Sequence, residues 1–231
     1  MKQIYRSSIY VLAGLALVLL LLNACKKETA DTSADPGPPA YRPDMQRLET
    51  AFDRISTVSG NAPDSALLID GNDNKLFFVR KDGENLHIAA AYDISPSKYG
   101  YGAARGSNQT PWGVHRIAGK YGEGQPAGMC FFDRRPTGEI AVVYKDTTDL
   151  EEDPVTSRII WLEGREDINR TSYWRFIYIH GTNEEGLIGT PQSKGCIRMK
   201  NDDVIELFTM TDTGMYVNII RPEDKTNTEE E

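Results

Sequence analysis

Between Ala66 and Ile220 the chain is built of short apolar runs, each roughly four to eight residues long and bounded by turn formers. Ala66–Ile69, Lys75–Arg80 and Leu86–Asp93 are separated by G-N-D-N and K-D-G, whose residues favour tight turns. Runs this short cannot assemble a helical bundle. The first three predict two successive hairpins in an antiparallel meander. Val114–Ile117, Ala127–Phe132, Ile140–Tyr144, Arg158–Leu162, Arg175–His180 and Tyr216–Ile220 continue the pattern. Two stretches have helical spacing instead. Met45, Leu48, Phe52 and Ile55 follow Asp44, a suitable N-cap. Val204, Leu207 and Phe208 follow Asn201, a second candidate cap, with Asp202 and Asp203 at the positive end of the dipole and Gly214 beyond. The expectation is a mainly β domain over 65–221, a sandwich or half-open barrel with one short helix late in the chain. A short helix and lead-in over 44–64 precede it.

The N-terminus has a different character. Lys2 and Arg6 precede the apolar run from Val11 to Leu22, which is too short for a comfortable membrane span of about 20 residues. The run ends in Leu22-Asn23-Ala24-Cys25. That string resembles the lipobox of bacterial lipoproteins, which implies a signal peptide over 1–24 and lipidation of Cys25. Residues 25–43, rich in Pro, Ser, Thr and acids, read as a flexible tether. The expected location is therefore outside the cytoplasm, with the chain held at the cell envelope by lipid.

The formal charge of −8 and the acidic tail over 222–231 argue against nucleic acid as a partner, since phosphate binding needs basic stripes. With Cys25 assigned to lipid, Cys130 and Cys196 form the only possible disulfide pair. Cys130 lies in the apolar string G-M-C-F-F and reads as a small buried side chain, so no disulfide is expected. The three histidines and two remaining thiols lack metal-ligand spacing, so neither metal nor cofactor is expected. His87 and His115 read as structural or surface residues. The glycines from Tyr99 to Gly106 lack the Lys-Ser/Thr ending of a phosphate loop and suggest a mobile segment.

The chemistry concentrates in R-F-I-Y-I-H-G-T-N-E-E-G-L-I-G-T-P-Q-S-K-G-C-I-R-M, Arg175 to Met199. Strand alternation puts Phe176, Tyr178 and His180 on one face, with Ile177 and Ile179 on the other. His180 stands at the strand end before Gly181, and Cys196 follows Gly195. A cysteine nucleophile needs a base close by, because the thiolate is the reactive form. A tight turn at Gly195 could also aim backbone N–H groups at an oxyanion.

The strings I-H-G-T and S-K-G-C-I-R-M, followed by N-x-D-V-x-E-L-F, resemble the catalytic core of the L,D-transpeptidases. Thr110-Pro111 with Gly113 and Ile117 is similar to another element of that family, and the likeness extends from about Ala66 to Arg221. It implies a Cys196 nucleophile, a His180 base and an oxyanion hole at the turn formed by Gly195, with Ser193 bracing it. Tyr178, Gly181, Thr182 and Arg198 are the residues expected to meet substrate, Arg198 either at a carboxylate or as a brace for the turn. The implied substrates are peptidoglycan stem tetrapeptides, which lose D-alanine to a Cys196 thioester before transfer to an amine. Carbapenem-type β-lactams would acylate the same thiol. Lys194 stands where many members have histidine. Two alternatives stay open: a hydrolase using the same pair (an L,D-carboxypeptidase or a wall-protein-releasing enzyme), and a non-catalytic peptidoglycan-binding lipoprotein.

Overall fold

A computed structural model describes residues 41–223. The expected signal segment, the lipidation residue Cys25, most of the tether and the tail beyond 223 lie outside the described residues.

Helix α1, Met45–Ser59, starts where Asp44 accepts a 3.1 Å hydrogen bond from the Arg47 N–H. Its stripe of Leu48, Ala51, Phe52 and Ile55 is buried. Facing it are Ala66 and Leu68 of β1, Ser65–Asp70, and Phe77 and Val79 of β2, Lys75–Asp82. Each large apolar side chain so buried contributes about 1.5–3 kcal/mol. The alternate residues Leu67, Ile69, Leu76 and Phe78 point through the sheet into a second, larger core. Both strands are therefore covered on both faces, which explains their unbroken apolar runs.

The remaining strands are β3 Asn85–Asp93, β4 Gly113–Tyr121, β5 Met129–Phe132, β6 Arg135–Ile140, β7 Val155–Gly164, β8 Tyr178–Gly181, β9 Ile197–Met199 and β10 Tyr216–Ile220. The sheet runs β3-β2-β1-β10-β4-β7, and β7 carries β8 and then β9 on its other side. Where β4 runs out, β5 pairs with the start of β7 at Thr156 and Val155. Most neighbours are antiparallel, but β1–β10 and β8–β9 are parallel, so the sheet is mixed. Ser95, just past β3, bridges back to Arg198 in β9 through N–H···O bonds of 2.9 and 3.0 Å. The strands thus almost close on themselves around Ile160, Leu162, Ile179, Ile197, Val217 and their neighbours. Helix α2, Asn201–Met210, packs Val204, Leu207 and Phe208 against that core. The result is the expected mainly β, half-open barrel with a short helix after Cys196.

Three local expectations need correction. Ile140–Tyr144 is not a strand; the partner of β5 is the exposed β6, reached by a two-residue turn in which Asp133 and Arg134 have φ of 45° and 63°. Asn201 does not cap α2. It is the helix's first residue, and its amide is buried among Thr156, Ser157, Thr182 and Glu185, while the Glu185 carboxylate receives the Asn201 N–H at 2.8 Å. Finally, the glycine-rich segment after Ser95 is tied down rather than loose. Arg175 donates to the carbonyls of Gly102 and Gln109, and Thr110 Oγ1 accepts from the Ser97 N–H.

His115 is fully buried on β4, with Nδ1 2.9 Å from the Gly113 carbonyl and Nε2 3.0 Å from Ser172 Oγ. Burial pushes its pKa down from 6.5 to about 4, against the Gly113 carbonyl and Glu166, which favour the cation. The native state therefore declines a proton that the unfolded chain accepts. Stability from this residue is intact above pH 6.5 and falls by about 3 kcal/mol as the pH drops towards 4. Urea midpoints of wild type and His115→Gln across that range should diverge, with the variant showing the shallower acid loss. Parallel curves would sink the assignment.

Candidate active site

Strands β8 and β9 run side by side in the register Ile179↔Ile197, His180↔Arg198, Gly181↔Met199. The isoleucines and Met199 enter the core. Their alternates, Tyr178 and His180 on one strand and Arg198 on the other, share the outer face. Cys196 sits just before β9, level with Tyr178, and the Tyr178 N–H points at Sγ from 3.4 Å. The thiol in turn reaches the Phe176 carbonyl at 3.4 Å. Cysteine and histidine thus lie on the same face, one two-residue step apart along the strands. No hydrogen bond joins them in this resting arrangement.

Glycines shape both ends of that arrangement. Gly195 has φ +124°, a value that side chains rarely adopt, and sets the turn that delivers Cys196. At Gly181 the reason is contact, since a Cβ there would sit 2.6 Å from Asn201 Oδ1 and 2.8 Å from the Thr156 carbonyl. Ser193 closes the turn by donating to the Cys196 carbonyl at 2.6 Å and accepting from the Gly195 N–H at 3.2 Å.

His180 is buried, and its Nδ1 lies 2.7 Å from the Gly181 carbonyl. A carbonyl can only accept, so Nδ1 carries the proton and Nε2 is the basic nitrogen. Burial lowers the His180 pKa and Arg198 adds to that effect, while Asp153 and the Gly181 carbonyl work the other way. Burial also pushes the Cys196 thiol up to about 11, with Asp153 acting in the same sense. The Tyr178 N–H, Arg175 and Arg198 favour the thiolate but do not overcome it. The pair therefore rests as neutral thiol and neutral imidazole at neutral pH, so attack by this sulfur would require its deprotonation.

The other named residues fall around this pair. Tyr178 Oη accepts from Arg134 at 3.1 Å, and Arg134 lies over Trp161 at 4.7 Å, so an aromatic and cationic floor holds that side of the site. Thr182 Oγ1 donates to Asp153 at 3.0 Å and accepts from the Glu184 N–H. The Arg198 head is 1% exposed and shares Nη1 between Glu184, at 2.6 Å, and Asp153, at 2.9 Å. It is therefore occupied as a brace. Lys194 is exposed and is not among the groups that shift the Cys196 thiol. Sequence reasoning did not pick out Asp153, Glu184 or Arg134; the acid directly after H-G-T-N was the one available signal.

Cys196 opens onto a cavity of about 260 Å³ lined by Arg105, Asn108, Trp174, Arg175 and Lys194. No acidic side chain lines it, so it favours anionic groups. A larger cavity of about 790 Å³, between α1 and the end of β10, includes neither Cys196 nor His180. Among the described residues no set of three His, Cys, Asp or Glu is placed to hold a metal ion. Cys130 and Cys196 are both free thiols.

The chain is 28% identical over 196 residues to the probable L,D-transpeptidase YcfS of Escherichia coli K12, a match covering 85% of this chain and 56% of that protein. It is 46% identical over 55 residues to the probable L,D-transpeptidase ErfK/SrfK of the same organism, covering 24% and 18% of the two chains. It thus spans about half the length of the first of these relatives and less of the second. Among solved structures, LdtMt1 in complex with imipenem superposes with a TM-score of 0.42 at 14% identity, over 69% of this chain and 60% of that one. The overlay is too loose to transfer any residue's role. The family model described as YkuD, the L,D-transpeptidase catalytic domain, matches residues 64–219, which hold the barrel, the Gly195 turn and the His180–Cys196 face together. With two thirds of its length matched, this chain belongs to the L,D-transpeptidase catalytic domain family.

Proposed function

We propose that the protein is a cysteine acyltransferase of peptidoglycan, in which Cys196 is the nucleophile and His180 the general base and acid. The observation that carries this reading is the fixed tautomer of His180. Its Nδ1–H is held by the Gly181 carbonyl, so Nε2 is the basic nitrogen on the strand face that Cys196 shares. In the first half-reaction His180 Nε2 takes the thiol proton and the sulfur attacks the carbonyl of the third residue of a stem tetrapeptide. The C–N bond to D-alanine breaks, His180 returns the proton to the leaving amine, and a thioester remains on Cys196. An acceptor amine then attacks the thioester and gives its proton to His180, which re-protonates the departing sulfur. With a side-chain amine of a neighbouring stem the product is a 3→3 crosslink.

The Gly195 N–H is engaged by Ser193, which leaves the Cys196 N–H to meet the developing oxyanion. Arg105, Arg175 and Lys194 suit the carboxylates of a stem peptide. The reactive carbonyl of a carbapenem would be taken by the same thiolate, opening the β-lactam ring.

The full chain, incubated with disaccharide-tetrapeptide, should release D-alanine and give a crosslinked dimer by mass spectrometry. Tripeptide monomer without dimer would assign the thioester to water and make the protein an L,D-carboxypeptidase. No D-alanine release and no Cys196 adduct with imipenem would leave a binding protein only.

The Leu22-Asn23-Ala24-Cys25 string supports the further reading that the chain is exported, cut before Cys25 and anchored to the envelope by lipid on that residue. Protein recovered from envelopes should carry a diacylglycerol mass on an N-terminal Cys25, absent in Cys25→Ala. An unmodified Met1 terminus on envelope protein would refute it.

A further inference from the structure

Two contacts outside the Cys196–His180 pair bear on what the site can do, and they converge on one carboxylate. Thr182 lies two residues beyond His180 and donates to Asp153 Oδ1 at 3.0 Å. Arg198, the register partner of His180, contacts Asp153 Oδ2 at 2.9 Å. A carboxylate pinned between those two positions lies along the outer strand face beside His180, on the side away from Cys196, which is level with Tyr178. The order along that face is therefore sulfur, imidazole, carboxylate.

The charge count gives that order a consequence. Among the described residues Arg198 is the one cation at ion-pair distance from Glu184 and Asp153, which share the same nitrogen. The cavity they line also takes Lys194, Glu151 and the pair Lys98–Asp149, 3.8 Å apart, so three cations face four carboxylates and the balance beside the imidazole stays negative. Glu184 is 1% exposed and turned towards Arg198, while Asp153 is partly exposed at the edge of the site.

We propose that Asp153 is a positioning residue for the acyl-transfer reaction, its uncompensated carboxylate stabilising the imidazolium that forms when His180 takes the Cys196 proton. The inference rests on reading Cys196 and His180 as nucleophile and base. Asp153 makes no hydrogen bond to His180, whose Nδ1–H is committed to Gly181. It acts through its charge. Transfer of the proton from sulfur to imidazole moves positive charge towards Asp153 and leaves negative charge on the farther group, so both changes are favourable. The same charge adds to the burial that opposes ionisation of Cys196 on its own, so the thiol stays protonated until the base takes the proton. The groups around the pair pull in different directions: Arg198 disfavours the imidazolium, Arg175 and Arg198 favour the thiolate, and the Gly181 carbonyl favours the imidazolium. Asp153 is the one charged side chain among them that favours the imidazolium.

The test compares full-length wild type, Asp153→Asn and Asp153→Glu. Acylation by imipenem and alkylation of Cys196 by iodoacetamide are followed by intact mass over about pH 5 to 10. In Asp153→Asn, acylation at neutral pH should fall roughly tenfold, within the range that proton-transfer contributions span. Its acid limb should move to lower pH, because the imidazole loses the charge that raises its pKa. The alkylation limb should also move to lower pH, because the thiolate loses a repelling neighbour. Asp153→Glu keeps the charge and should hold both limbs near wild type. Wild-type rates in Asp153→Asn would overturn the proposal, and so would a slower reaction with unmoved limbs, which is what simple loosening of the site gives. If Asp153→Asn fails to fold, Thr182→Val frees one anchor of the carboxylate and must shift the limbs in the same directions, to a smaller extent; unshifted limbs overturn the proposal. Since iodoacetamide reports the thiol without any peptidoglycan chemistry, failure of transpeptidation and failure of this inference are separate results.

Discussion

Cys196→Ala is expected to abolish acyl transfer, with a fall of about 10⁴-fold or more in D-alanine release and no dimer. The expectation follows from the route, since without sulfur at this position no thioester can form and the turn presents only N–H groups. The protein should fold normally, because Cys196 is half-buried, packs only at the edge of a core cluster, and its sulfur makes two long hydrogen bonds, to Tyr178 and Phe176, both at 3.4 Å. His180→Gln should be less severe, losing roughly 10²- to 10⁴-fold, the range that a positioned base contributes. Its pH profile carries the sharper information. With the base removed, reaction must proceed through the spontaneously formed thiolate, so the rate should climb continuously towards the thiol pKa of about 11. The wild type should instead already react in the neutral range, where the imidazole is unprotonated. If Cys196→Ala protein yields dimer at the wild-type rate, another residue is the nucleophile. If His180→Gln keeps a neutral plateau, another base serves Cys196.

How much of this site is legible in the sequence depends on how far apart its parts lie along the chain. Alternation in R-F-I-Y-I-H places Tyr178 and His180 opposite Ile177 and Ile179, and the structure has the isoleucines in the core with Tyr178 and His180 on the other face. The strand expected from Arg175 begins only at Tyr178, however, and Phe176 lies in a turn at φ 54°. Gly181 and Gly195 announce tight geometry. The apolar string around Cys130 misleads, because Cys130 is half-buried like Cys196 and stands outside the core that takes its neighbours Met129 and Phe131. What escapes is whatever depends on pairing between distant segments. Strand β9 is too short to show a period, and it exists because Arg198 pairs with both His180 and Ser95. Acidic residues from 146 to 154 look like a solvated loop, yet Asp153 from that run enters the site through Thr182 and Arg198. Asn201 shows the same limitation. Its residue type fits a cap, but Thr156, Ser157 and Glu185 outbid the helix for its amide once β7 lies alongside. The exposed strand β6 contains a proline and a glycine, which argue against a strand until the edge position is known.

Arg198→Met is expected to cost about 3–5 kcal/mol of stability, the usual penalty for leaving a buried charge without its partner. Glu184 is 1% exposed, and among the described residues Arg198 is the only cation its carboxylate meets, at 2.6 Å. Methionine fills the space and removes the charge, so Glu184 must either carry an unpaired negative charge in the interior or take up a proton. Arg198→Lys should recover little of the loss. A single ammonium cannot reproduce a planar head that meets two carboxylates through Nη1 and the Ser95 hydroxyl through Nη2. The double variant Arg198→Met/Glu184→Gln removes both buried charges and should be more stable than Arg198→Met alone, because most of the single variant's cost is the stranded carboxylate. Urea unfolding of these proteins together with the single variant Glu184→Gln gives the coupling directly. A single variant within about 1 kcal/mol of wild type would mean the pair is no better than a surface contact. The local consequence separates this role from a purely structural one. The Arg198 backbone closes the barrel onto Ser95, while its side chain sets the charge beside His180. Loss of the guanidinium leaves Asp153 and Glu184 with no cation, so the folded Arg198→Met population should show an acid limb for acylation moved to higher pH, opposite to Asp153→Asn. The two substitutions touch the same contact from its two ends, and only an electrostatic role for that contact moves the limb in opposite directions.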